Sequence, residues 1–256
     1  MDTKDEKKIN QLFQKVPYGA VLISSWLVKN GYNNSLQHSY IKSGWIESIG
    51  NGAFKRNGEN INIYGAIYSL QNQLEKDIHI GGRSSLSLNN ISHYLEVNQK
   101  EVHLFSTKEK KLPNWFTEYD WGIKTKLLTT NFISGQVGII DYEINNLKIK
   151  ISSPIRSYFE CLYSLPKEFD FDEAYKIMES LAWARPKEVQ LLLENCKSKK
   201  VNRIFLFIAK KVGHSWFDYL NIEKVNLGKG KRVIIENGVL DKEFLITVPK
   251  NMKNNE

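Results

Sequence analysis

The chain has 256 residues, of which 41% are hydrophobic and 12% aromatic, enough for a substantial core and too many for a disordered regulator. No run approaches the roughly 20 apolar residues of a membrane span, and the charged start MDTKDEKKIN lacks the apolar stretch of a secretory signal, so the expected location is the cytoplasm. The net charge of +8 is split into +4 over residues 1–56, −3 over 57–194 and +7 over 195–256, a basic head and tail that favour polyanions.

The spacing of Ile9, Leu12 and Phe13 predicts a first helix over Asp5–Lys15, broken by Pro17-Tyr18-Gly19. A second helix is expected over Ala20–Asn30, with Gly31 supplying the left-handed cap. Ser35 is the expected N-cap of a third helix reaching Ser43. On it Leu36, Tyr40 and Ile41 are expected to face inward, leaving Gln37, His38, Ser39 and Lys42 on the other face. Trp45–Ile49, the turn Gly50-Asn51-Gly52 and Ala53–Arg56 have the form of a tight hairpin. Three helices followed by such a hairpin are the order of a winged helix-turn-helix, which lays its third helix in the DNA major groove.

Beyond it, Ile61–Leu74 predicts a helix, Asp77–Gly81 a strand, Ser84–Leu88 a helical turn and Glu101–Ser106 a strand. Leu112–Trp121 has the composition of an irregular aromatic loop. Strands are expected at Lys126–Phe132, Val137–Tyr142 and Leu147–Ile151, and helices at Pro154–Tyr163, Asp172–Ala182, Pro186–Cys196 and Lys199–Val212. A strand pattern returns at Lys231–Ile235 and Phe244–Val248, with Gly238 in the turn. The expected fold class is α+β: a winged helix-turn-helix over 1–60 and a larger mixed α+β domain over 61–256.

Several segments carry a family likeness in order and spacing: YIKSGWIESIGNGAFKR (40–56), GAIYSLQNQ (65–73), HIGGRSSLSL (79–88), SHYL (92–95) and LPNWF (112–116). SSPIRSYFECLYSLP (152–166), the run 173–217 and LGKGKRVIIENG (227–238) continue it. With these segments the chain resembles the AbiEi antitoxins of type IV toxin–antitoxin systems. It departs from their usual pattern at Ile155-Arg156-Ser157, where Glu-Arg-Ala is common, and at Ala184, where Leu is common. The resemblance implies a winged helix that represses its own operon at inverted-repeat operator DNA. It also implies a C-terminal domain that neutralises a nucleotidyltransferase-like toxin, with or without a direct complex.

The candidate DNA contacts are Ser35, Gln37, His38, Ser39 and Lys42 on the third helix, with Asn51, Lys55 and Arg56 on the wing. Gln pairs with adenine, and Lys and His reach phosphate or guanine; an ordinary solvated face is the plain alternative. The basic tail offers Lys199, Lys200, Arg203, Lys210, Lys211, Lys229, Lys231 and Arg232 as an antitoxin or partner surface, or again a solvated face. Leu-Gly-Lys-Gly-Lys-Arg lacks the spacing of a phosphate loop. His214-Ser215-Trp216 suggests a packed Trp beside a hydrogen-bonded His rather than a nucleophile. His79, His93 and His103 lack metal-site spacing, and the distant Cys161 and Cys196 suggest a reducing compartment. Glu109-Lys110-Lys111 and Asp141-Tyr142-Glu143 carry nothing that ties them into a nuclease site. No catalytic residue, metal or cofactor is therefore expected. A stand-alone regulator with a ligand-sensing or oligomerisation domain, and a nucleic-acid-processing enzyme, remain the alternatives.

Overall fold

The computed structural model describes residues 3–91 and 101–252. These form two compact units, and the chain enters each more than once: residues 3–79, 101–129 and 141–151 make the first, and residues 80–91, 130–140 and 152–252 the second. The SHYL segment and His93 lie outside the described residues.

The first unit begins with α1 (Thr3–Lys15), β1 (Leu22–Ile23), α2 (Ser24–Lys29) and α3 (Asn34–Lys42). The hairpin β2 (Ile46–Gly50) and β3 (Ala53–Arg56) follows. The three short strands form one antiparallel sheet in the order β1-β3-β2, which completes a winged helix. Expected as one helix, Ala20–Asn30 instead opens as a strand. Leu22 pairs with Phe54 and Ile23 with Ala53, and the outer edge of β1 is held by one side chain. Gln73 accepts from Ile23 N at 2.9 Å and donates to Val21 O at 2.7 Å, doing for β1 what a neighbouring strand would. The cap of α3 is also two residues earlier than expected: Asn33, not Ser35, accepts from Leu36 N at 2.9 Å.

Gln73 follows α4 (Ile63–Asn72), which lies close against the chain at Gly19. A Cβ on Gly65 would stand 1.8 Å from the Gly19 carbonyl oxygen, so only glycine permits this approach. The core here joins Ile9, Leu12, Leu27, Tyr40 and Ile46.

A five-stranded sheet has the order β6-β5-β4-β8-β7, formed by β4 (Ile78–Ile80), β5 (Glu101–Ser106), β6 (Lys124–Thr129), β7 (Ile139–Ile144) and β8 (Leu147–Ser152). β5 and β6 run parallel, from Glu101 opposite Lys124 to Ser106 opposite Thr129. The expected aromatic loop at Leu112–Trp121 contains α6 (Asn114–Glu118), whose Trp115 and Phe116 are buried and pack with Trp121. Local sequence hid this helix because aromatic burial, rather than helical periodicity, stabilises it.

The second unit is mostly helical: α5 (Gly82–Leu88), α7 (Pro154–Ser164), α8 (Phe171–Glu179), α9 (Pro186–Asn195) and α10 (Lys199–Val212). Ser153 caps α7 and Pro154 starts it, while Gly213, at φ 78°, ends α10 in the left-handed conformation. Every residue from Val201 to Ala209 is buried, so α10 is a central helix rather than an amphipathic surface one. Phe205 meets Tyr158, Phe159 and Trp216 there. The buried Arg156 and Glu160 pair at 3.0 Å, and Glu160 also accepts from Gly82 N and the Ser152 hydroxyl. The strand expected at Lys231–Ile235 is irregular, touching Ile246 through a single bridge at Arg232. Ile246–Val248 (β10) pairs instead with β9 (Val239–Asp241), a strand that the sequence pattern did not suggest.

Candidate nucleic-acid interface

In α3, spacing of three and four brings Asn34, Ser35, His38, Ile41 and Lys42 onto one exposed face. Ser39 is half-buried at its margin. Gln37 is not on this face. Only 3% exposed, it accepts from the Ser24 hydroxyl at 2.7 Å and donates to Tyr32 O at 2.7 Å. It is a bolt between α2 and α3, and both ends of its amide are already bonded. Ile41, expected inside, is exposed instead. No spacing within α3 announces either position, because the burial of Gln37 is decided by Ser24 and Tyr32 outside the helix.

The wing is tight. Gly52 O accepts from Ser24 N at 2.9 Å, so the tip folds back on the start of α2. Gly50 packs against α6, where an added Cβ would meet Trp115 Cβ at 3.0 Å. Asn51 and Ser48 are exposed on this hairpin.

The two basic residues that end the wing face inward, contrary to the expectation of phosphate contacts. Arg56 donates to Phe13 O at 2.9 Å and to Val16 O, with its guanidinium 4.6 Å from the Phe13 ring centre. Lys55 pairs with Glu47 at 2.9 Å and donates to Glu59 O at 3.1 Å. Its hydrogen bond to Glu47 holds the ammonium pKa above the usual lysine value. Arg56 thus fastens the hairpin to α1, while Lys55 ties β3 to its partner strand β2 and to the chain that follows it.

The basic tail divides in the same way. Arg203, 1% exposed, donates to the carbonyls of Leu227 at 2.7 Å, Gly230 at 2.7 Å and Gly228 at 3.1 Å. Five donors in a planar fork suit this bundle of carbonyls, and a lysine could not replace them. Lys200 donates to Tyr163 O at 2.6 Å and Leu165 O at 2.7 Å, and burial lowers its pKa. Lys199 packs beside Gly228, and Lys210 pairs with Glu243 at 2.6 Å. Lys211 is half-buried. Lys229, Lys231 and Arg232 are the members of the expected set that stand exposed without an ion pair among the described residues.

His214 bonds Met178 O and the buried Trp216 donates to Leu181 O at 3.0 Å, as a packed Trp beside a bonded His requires. Among the described residues no group of His, Cys, Asp and Glu could hold a metal ion, and no helix is long and apolar enough to cross a membrane. Cys161 and Cys196 are buried and free.

A family profile described as "Transcriptional regulator, AbiEi antitoxin, Type IV TA system" matches residues 99–249, and the profile of the AbiEi antitoxin N-terminal domain matches residues 5–97. No curated protein matches the sequence significantly. Among solved structures, that of the RV2827C protein from Mycobacterium tuberculosis is similar with a TM-score of 0.57. The match covers 96% of this chain and 91% of that one at 12% identity, a likeness of fold. With both profiles spanning nearly the whole α+β chain and a winged helix at its head, this protein belongs to the AbiEi antitoxin family of type IV toxin–antitoxin systems, a family of transcriptional regulators.

Proposed function

We propose that this chain represses its own operon by binding inverted-repeat operator DNA through the winged helix of residues 1–60, and that residues 61–256 carry the antitoxin activity. The observation that supports the first part is the exposed face of α3, free of internal duties, in a winged helix whose wing residue Asn51 is exposed as well. On this reading His38 and Lys42 contact guanine or phosphate, Ile41 packs on a thymine methyl group, and Ser35, Ser39 and Asn51 bond the backbone. Gln37, Lys55 and Arg56 shape this surface without touching DNA.

The antitoxin acts in the cytoplasm against a nucleotidyltransferase-like toxin, either by contact or by opposing its effect. Lys229, Lys231 and Arg232 are the tail cations available for that role. The protein has no catalytic part in it.

Two experiments test the reading. Gel shifts with DNA from upstream of the gene should show specific binding that is lost in a His38→Ala, Ile41→Ala, Lys42→Ala triple variant. Equal affinity for unrelated DNA would sink the operator assignment. Co-expression with the adjacent gene should rescue growth; a toxic neighbour that this protein does not counter would refute the antitoxin role.

A further inference from the structure

Helix α9 buries Val189, Leu192 and Leu193 and turns Lys187, Leu191 and Glu194 to solvent. Spacings of four and three place these three on one stripe along the helix. Leu191 is 50% exposed, and Tyr219, from the 3-10 turn Ser215–Tyr219, is 78% exposed. Both line one shallow groove together with Lys187 and Glu194. The groove is preformed: the Gln190 side chain accepts from Asn221 N at 2.9 Å and donates to Asn221 O at 3.1 Å, which fastens the segment after Tyr219 to α9. Single exposed apolar residues are ordinary, but a leucine and a tyrosine sharing a fixed groove point to a surface that is covered.

The order of charge along the stripe says by what. A cation stands in the first turn, an apolar residue at the centre and a carboxylate in the last turn. Turned end over end, this sequence becomes its own complement. A nucleic acid lying along it would set phosphates against Glu194, and a uniformly acidic or basic peptide would meet one end with like charge. A second copy, related by a twofold axis near Leu191, meets neither penalty, because such an interface is isologous.

We propose that two copies of this chain associate through antiparallel α9 helices, with Leu191 and Tyr219 at the apolar centre and Lys187 paired with the partner's Glu194. This stands independently of the operator assignment, although a dimer carries two DNA-binding heads, the symmetry that an inverted repeat matches.

The test is sedimentation equilibrium of the full chain without DNA, over a range of concentrations at low ionic strength, with circular dichroism confirming the fold of each variant. The wild type is expected to dimerise reversibly. Lys187→Glu and Glu194→Lys each oppose like charges across the axis and should raise the dimer Kd about tenfold or more. The double variant reverses both ends and should dimerise like the wild type, and an equimolar mixture of the two single variants should form heterodimers. Leu191→Glu should leave a monomer. A wild type that stays monomeric at several hundred micromolar overturns the proposal. So does a dimer indifferent to the single variants, or a double variant no tighter than either single one.

Discussion

The Ser24 hydroxyl donates to the side-chain carbonyl of Gln37 at 2.7 Å, locking the start of α2 to the inner face of α3. Substituting Gln37 by Ala leaves that hydroxyl and the Tyr32 carbonyl without their partner in a buried place. The expected cost is about 1–3 kcal/mol in urea unfolding. Operator affinity per folded molecule should stay at the wild-type level, so a specific loss of base discrimination without loss of stability would contradict this assignment.

The outer face of the same helix should behave oppositely. His38→Ala and Lys42→Ala are expected to weaken DNA binding while changing stability by no more than about 0.5 kcal/mol. If Lys42 neutralises one phosphate, its removal should also flatten the slope of log affinity against log salt by about one. Titration of binding at several salt concentrations reads both quantities.

Gly65→Ala tests the close approach of α4 to Gly19. The new methyl group would collide with a backbone carbonyl rather than with a mobile side chain. At least about 3 kcal/mol should be lost, or the protein should fail to fold. A thermal midpoint within a few degrees of the wild type would show that the helix can shift cheaply.

Arg156 and Glu160 form a buried pair whose charges satisfy each other and nearby backbone groups. Removing one partner, as in Arg156→Met or Glu160→Gln, should cost about 3–5 kcal/mol because the other remains charged and buried. Replacing both by methionine should cost clearly less than the two single changes added together. Full additivity in denaturant titrations would mean that the two residues act separately.

Burial pushes the Cys196 thiol from its usual 9.0 up to about 12 and raises Cys161 well above the ordinary value too. Native protein at pH 8 should therefore react slowly with a disulfide reagent, and both thiols should react promptly in denaturant. The sign of the pH effect follows from the same shift. Unfolded thiols lose their protons near pH 9 while the folded Cys196 keeps its proton to about 12, so stability is full below 9 and declines as pH rises through that window. Cys196→Ala should remove part of the decline.

Where local chemistry decided the structure, the sequence was readable. Gly50-Asn51-Gly52 required a tight turn, Pro154 opened a helix, and the apolar period of Lys199–Val212 marked a helix with those bounds. Where a distant partner decided, it was not. Strand β1 exists because Phe54 and Gln73 hold its two edges, and neither is a neighbour in sequence. Arg203 looked like surface charge because nothing near it in the chain announces the carbonyls of Leu227, Gly228 and Gly230. Polarity alone put Gln37 outside, although an amide with two buried partners is as much an interior residue as a leucine.

The Arg203 anchor also changes the character of the tail that follows α10. Lys229, Lys231 and Arg232 project from a segment whose carbonyls are gripped from below, so their backbone is already fixed before anything binds. An anion that meets them freezes only side chains, and its association there carries a smaller entropic penalty than a loose basic tail would impose.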